Sequence, residues 1–191
     1  MSPSKLIPAV LLLALSAGTA FSQILEVGMS GGVNRMSSST LGGGEAYLED
    51  GWRLGARITI NPYRFCGHEV GYMYTRANMN YQGVSIGEAV HQGFYNFLVY
   101  VTPEGSKVRP FFTGGAQFST FPFPGYSIQS GGSQTKFGVN YGGGIKTRLN
   151  EKWLIRIDYR QYASPKPDFF VTETTGWLRM NEVSVGFAFT M

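Results

Sequence analysis

Hydrophobic and polar residues alternate along much of this chain, most clearly over its last ten residues. Val183, Val185, Phe187, Phe189 and Met191 are large and apolar, whereas the residues between them are charged or small. A period of two predicts a β-strand with one apolar and one polar face. No later segment follows to cover the apolar face, and we therefore expect lipid to cover it.

Segments of strand length with this alternation recur through the chain, about eight in all, which is the smallest usual number for a barrel. They span residues 24–35, 52–60, 69–76, 91–101, 108–118, 136–149, 153–159 and 177–191. The fourth segment is bulky on both faces. We expect its outward side chains to be Tyr95, Phe97, Val99 and Val101 and its inward side chains to be Asn96, Leu98 and Tyr100.

The links between these segments alternate strictly between short and long. The short links are residues 61–68, 102–107 and 150–152, and the long links are residues 37–51, 77–90, 119–134 and 163–176. In a soluble β-sandwich, short loops are not expected to lie at one end of the strands and long loops at the other. Short periplasmic turns and longer outer loops are typical of bacterial outer-membrane barrels.

The first residues predict export. Lys5 precedes an apolar run over residues 6–15, and small residues then lead to Ser22. This pattern predicts a secretory signal peptide over residues 1–22 and a single mature domain over residues 23–191. An uncleaved anchor is the alternative, although the apolar run is shorter than the roughly 20 residues of a membrane-spanning helix.

Composition narrows the functional classes. The single cysteine, Cys66, excludes an internal disulfide framework and most thiolate metal sites, and we expect no cofactor or metal. The formal net charge of +4 is weak and scattered, which argues against nucleic acid as a partner. The glycine run over residues 142–144 has no phosphate-loop context. We expect it to let a strand bend or a bulky neighbour pack.

Three runs carry a resemblance to a known family: residues 109–116, 137–145 and 153–159. With their alternation and glycines they resemble the small outer-membrane β-barrel superfamily of the OmpA and OmpX type. The resemblance implies an all-β, eight-stranded, antiparallel up-and-down barrel in the bacterial outer membrane. It also implies outer-membrane lipid and the outer-membrane assembly machinery as partners. Such barrels usually end on an aromatic residue, whereas this chain ends on Met191.

An eight-stranded barrel is filled by its own side chains, so the charged residues on the inward faces are expected to be paired or hydrated. These residues are Glu26, Arg53, Arg57, Glu69, Arg109, Lys136, Lys146, Arg148, Arg156, Asp158, Arg160 and Glu182. Trp52, Trp153 and Trp177 begin strands and are expected to form an aromatic girdle at the membrane interfaces. The alternative is that these tryptophans pack a soluble core.

These features favour a non-enzymatic surface protein that maintains the envelope or presents loops for adhesion to a ligand still to be identified. A narrow anion-preferring channel is the first alternative, since the inward faces carry an excess of bases. A lipid-modifying enzyme is the second, and it requires His91 to meet Ser85 or Glu88 near the outer rim. A secreted lipocalin-like barrel is the third, but its ligand cavity would be mostly apolar.

Overall fold

A computed structural model describes residues 25–37, 39–125, 132–169 and 174–191. The expected signal peptide, residues 1–22, lies outside the described residues. Within these ranges the chain forms ten β-strands and one short 3-10 turn at Gly42–Gly44. The strands are β1 (Leu25–Ser37), β2 (Thr40–Leu41), β3 (Ala46–Leu48), β4 (Gly51–Tyr63), β5 (Cys66–Tyr81), β6 (Val84–Tyr100), β7 (Val108–Pro122), β8 (Ser133–Arg148), β9 (Trp153–Pro165) and β10 (Trp177–Thr190). The described residues include no helix that is long and apolar enough to cross a membrane.

The long strands form a closed antiparallel barrel. Following the hydrogen bonds around it, the order is β1, β4, β5, β6, β7, β8, β9 and β10. The ring closes where β1 pairs with β10, with Glu26 opposite Thr190 and Asn34 opposite Glu182. The predicted eight-stranded up-and-down barrel is therefore confirmed.

The two faces of the wall differ as the alternation predicts. On β10, Val185 and Phe187 are 53% and 62% exposed on the outside, whereas Ser184 is buried in the bore. On β4, Ile58 lies outside and Arg57 lies inside. The predicted phase of the fourth segment is also confirmed. Its exposed side chains are Tyr95, Phe97, Val99 and Val101, and its buried ones are Asn96, Leu98 and Tyr100.

The exposed apolar side chains form what we call the apolar band. It runs from Val33, Trp52 and Phe118 near the long links to Val101, Val108 and Trp153 near the short turns. Outer-membrane barrels bury a band of this kind, about 25 Å tall, in lipid. We name the two ends of the barrel the long-loop end and the short-turn end.

The prediction of long loops is wrong for two segments, because both contain paired β-strands. Residues 77–90 extend the β5–β6 hairpin beyond the apolar band, with Tyr81 opposite Val84. The hairpin turns at Gln82 and Gly83, whose φ angles are 50° and 84°. Residues 37–51 contain β2 and β3, and β3 pairs with β5. Side chains in these segments still alternate between inward and outward. Because the outward positions face water here and not lipid, polar residues replace the apolar ones.

The bore is filled in layers. At the long-loop end lies what we call the outer apolar cluster, whose buried members include Met36, Leu41, Leu48, Met73, Met79, Phe94, Phe121, Tyr162, Leu178 and Met180. A smaller buried group, Leu98, Tyr100 and Phe111, lies toward the short-turn end. Charged side chains occupy the space between these two layers.

Candidate functional site: the charged interior of the barrel

Two buried carboxylates hold three arginines in the middle of the bore. Arg156 donates to both oxygens of Asp158, from Nε at 2.6 Å and from Nη2 at 2.7 Å. It also donates from Nη1 to Glu69 at 2.5 Å. Arg160 donates to Glu69 at 2.6 Å, and Arg57 donates to Asp158 at 3.1 Å. The predicted inward charges on β4, β5 and β9 are thus brought into direct contact across the barrel.

A third carboxylate, Glu182, extends this group toward the long-loop end. Arg53 Nε lies 3.1 Å from its Oε2 atom, and Tyr162 donates its hydroxyl to the same oxygen at 2.9 Å. The Arg53 guanidinium also lies over the Tyr162 ring, 4.2 Å from its centroid. We call Arg53, Arg57, Glu69, Arg156, Asp158, Arg160 and Glu182 the interior charge network. All seven are buried, and such charges are tolerated only when paired and hydrogen-bonded.

A separate ion pair lies nearer the short-turn end. Lys146 donates from Nζ to Glu26 at 2.5 Å and to the Tyr100 hydroxyl at 2.8 Å. Asn61 donates to the other oxygen of Glu26 at 2.8 Å. Lys146 and Glu26 belong to β8 and β1, so this contact also crosses the bore.

Glu104 is an interior partner that sequence reasoning missed. It forms an ion pair with Arg109 and accepts from Arg148 at 3.3 Å. Arg109 also lies over the Tyr100 ring, with its guanidinium carbon 3.6 Å from the centroid. Glu104 lies in a short link, outside any alternating segment, and its only sequence signal is its closeness to Arg109.

The remaining predicted positions lie at the rims. Lys136 is only half-buried near the start of β8. Trp52 and Trp153 are exposed on the outer wall at opposite ends of the apolar band. Trp177 is exposed as well, but it begins β10 beyond the band, opposite Pro165.

The structure does not bring His91 to Ser85 or Glu88, the partners that the enzyme alternative requires. Ser85 is six residues from His91 on the same strand, about 20 Å at about 3.3 Å per residue. Glu88 is buried in the bore, whereas His91 lies on the outer wall and bonds through Nδ1 to the Tyr72 hydroxyl. Among the described residues, no group of three His, Cys, Asp or Glu side chains is placed to hold a metal ion.

Among the buried charges that the structure describes, Glu88 is the exception to the pairing of opposite charges. It lies in the hairpin beyond the apolar band, between Ile86 and Val90, which both belong to or pack against the outer apolar cluster. Neither carboxylate oxygen has a hydrogen-bond partner among the described residues. Burial raises the pKa of this carboxyl from 4.5 to about 8, and Arg76 opposes the rise.

Comparison with known proteins agrees with this architecture. The family model for the outer membrane protein beta-barrel domain matches residues 7–190. This chain belongs to that family. It is accordingly a protein of the bacterial outer membrane, and the apolar band is the surface that meets lipid.

Solved structures show the same fold at low identity. Neisserial surface protein A has a TM-score of 0.63 and 15% identity, over 87% of this chain and 97% of that one. OprG from Pseudomonas aeruginosa has a TM-score of 0.56 and 16% identity, over 88% and 98%. Outer membrane protein W from E. coli has a TM-score of 0.51 and 15% identity, over 91% and 100%. No curated protein matches this chain significantly.

Proposed function

We propose that this barrel is a non-enzymatic surface protein that stabilises the envelope or presents its long-loop end to an external partner. The observation that carries the proposal is the filled bore. The interior charge network crosses the barrel from wall to wall, and the outer apolar cluster lies above it. Such an interior supports a mechanical or surface role rather than transport.

The long-loop end offers a structured surface for such a role. The β5–β6 hairpin rises beyond the apolar band, and β3 pairs along β5, so this surface is built from hydrogen-bonded strands. A surface that is already ordered loses less conformational entropy of its own when a partner binds. Exposed aromatic side chains at this end, Tyr47 and Phe123, suit protein or saccharide contacts.

Conductance tests the closed interior. We expect the purified protein in planar bilayers to give no steady current, because paired charges and apolar side chains occupy the bore. The Arg57→Ala variant should behave in the same way, since the outer apolar cluster is untouched. A steady anion-selective current in the wild type that Arg57→Ala reduces would establish the channel alternative instead.

A shortened hairpin tests the surface role. Replacing residues 79–86 by Asn-Gly keeps the membrane-embedded part of β5 and β6 and removes the tip. Cells with the wild type, the shortened variant or no protein are compared for attachment and for detergent resistance. A surface-loop role predicts that the shortened variant loses attachment, and an envelope role predicts that it retains resistance. If all three strains behave alike in both assays, the proposal is wrong.

A further inference from the structure

Arg53 is the least compensated arginine of the interior charge network. It approaches Glu182 only through Nε, and neither Nη1 nor Nη2 has a hydrogen-bond partner among the described residues. The Tyr162 ring lies against the face of its guanidinium, so that the two Nη atoms are left at the edge. The side chain is buried, and bulk water therefore does not reach these donors.

The interior charge network carries one positive charge in excess, because its four arginines face only three carboxylates. The other buried cations are already balanced, since Lys146 pairs with Glu26 and Arg109 pairs with Glu104. The buried Glu88 does not supply the counter-charge at neutral pH, because burial raises the pKa of its carboxyl to about 8. The excess charge therefore stays with the network.

The chemistry of arginine leaves few ways to balance this charge. A guanidinium stays protonated in proteins, so the charge is not lost by titration. Water can accept from the two Nη atoms but does not neutralise them, and an uncompensated charge in a buried interior is costly. Both oxygens of Glu182 already accept hydrogen bonds, from Tyr162 and from Ser184. An additional anion at the edge of Arg53 is the remaining counter-charge.

A second unpartnered side chain lies at the same place. Neither Nδ2 nor Oδ1 of Asn34 has a hydrogen-bond partner among the residues that the structure describes, and the side chain is buried. Asn34 lies opposite Glu182, and side chains opposite each other on neighbouring strands are in contact range. On its other side, Asn34 lies opposite Gly51, two residues before Arg53. The Asn34 amide is thus placed to donate beside the Arg53 guanidinium.

Apolar side chains close this place toward the long-loop end. Met36 follows Asn34 as the next inward residue on β1, and Met180 lies opposite Met36 on β10. Both methionines are buried in the outer apolar cluster. Methionine adapts its shape to irregular spaces, and its low polarity strengthens any ion pair beneath it. The site is therefore sealed from the outside and suited to a small ion.

We propose that the bore binds one monovalent anion of the size of chloride, held by the two Nη atoms of Arg53 and by the Asn34 amide. One negative charge balances the network, whereas a phosphate would bring more charge than the single excess requires. The anion acts as a structural counter-ion and not as a transported ion, because the methionine layer closes the bore above it. It is consequently taken up as the barrel folds.

Bromide locates the site in the wild-type protein. The chain is folded from urea into detergent in sodium bromide and crystallised in the same salt, and anomalous diffraction then identifies the bromide ions. We expect an anomalous peak in contact with Arg53 Nη1 and Nη2, inside the barrel. Density for water alone at this position, with no anomalous peak, would overturn the proposal.

Stability measures whether the ion contributes to folding. Urea unfolding in detergent is compared in sodium chloride and in sodium gluconate of equal ionic strength, since gluconate is too large for the enclosed site. A ligand that binds only the folded state raises stability with its concentration. We expect the urea midpoint to rise with chloride and not with gluconate. A bromide peak without any difference between the two salts would identify an adventitious ion only and would also refute the proposal.

Two matched variants assign this salt effect to Arg53. Arg53→Met leaves three arginines facing three carboxylates, so the midpoint should no longer respond to chloride. Arg179→Met removes an exposed arginine and should respond as the wild type does. Asn34→Ala, which keeps Arg53, should need several-fold more chloride for the same rise, and it provides the test if Arg53→Met does not fold. A chloride response that is unchanged in Arg53→Met, or in Asn34→Ala if that variant has to serve, would contradict the site.

Discussion

Asp158 is the residue on which the interior charge network depends most directly. Arg57, Arg156 and Arg160 all contact its two oxygens, and it is buried between them. Buried ion pairs give little net stability over apolar replacements, but removal of one partner leaves uncompensated charge. We therefore expect removal of this carboxylate to cost more stability than removal of any one of the three arginines.

The Asp158→Asn variant should lower the free energy of unfolding by about 3–5 kcal/mol, the range found when one partner of a buried pair is removed. Urea unfolding in detergent micelles, followed by tryptophan fluorescence, measures the change. The control is Glu151→Gln, an exposed acid in the turn before β9, which should change stability by less than about 0.5 kcal/mol. Equal effects of the two variants would contradict the network.

Glu88 should make the β5–β6 hairpin sensitive to pH. The folded carboxyl holds its proton up to a pKa of about 8, whereas the unfolded one releases it near 4.5. The contribution of the neutral Glu88 carboxyl to stability is therefore fully present below about pH 4.5, declines as the pH rises, and is lost as the pH passes through about 8. Arg76 is the charged group that offsets this effect.

Limited proteolysis within residues 77–90 at pH 5 and pH 9 tests this behaviour. The ratio of wild-type to Glu88→Gln cleavage rates cancels the pH dependence of the protease. We expect the ratio to rise several-fold at pH 9, because the glutamine carries no charge to bury. The same ratio at both pH values would contradict the assignment.

At the scale of strands, the sequence predicted where the wall crosses the membrane but not how far the strands continue. On β5, Ala77 and Met79 still point inward, whereas the outward residues Asn78 and Asn80 are polar. The apolar outer face ends with the lipid, and so the prediction ended the strand there. Pairing continues into water because inward side chains still pack on the outer apolar cluster.

The glycine run in β8 has the packing role that its pattern predicted. Gly144 lies opposite Phe111, and a Cβ atom there would lie 2.3 Å from the Ile157 carbonyl oxygen and 2.8 Å from Phe111 Cζ. Gly114 on β7 differs, since the nearest atom to an added Cβ would be the Asn140 oxygen at 3.8 Å. Glycine is thus required at Gly144 and replaceable at Gly114.

The Gly144→Val variant should lower the free energy of unfolding by about 1–3 kcal/mol, the usual cost of overpacking a filled interior. Gly114→Val is the matched control, because its added side chain points to open space and should cost far less. Urea unfolding of both variants in the same detergent provides the comparison. A larger loss for Gly114→Val would show that strand propensity, and not the contacts with Ile157 and Phe111, decides the outcome.

For the whole molecule, alternation and link lengths predicted the barrel and the side of the wall on which each charge lies. They did not predict which charges meet. Arg57 and Asp158 are 101 residues apart, on β4 and β9, and their contact depends on the register of every strand between them. Alternation with a period of two determines whether a side chain lies inside or outside the barrel, but not its position along the barrel axis. No sequence pattern therefore predicts which charges pair.

The seam between β1 and β10 has a consequence for biogenesis. The strand that begins the barrel pairs with the strand that ends it, with Val27 opposite Phe189 and Val33 opposite Val183. Until that partner arrives, one edge of β1 has open hydrogen bonds, which hydrocarbon cannot satisfy. We therefore expect the chain to enter the bilayer only once β10 is present to pair with β1, and we propose that a chaperone or insertase covers this edge of β1 until then.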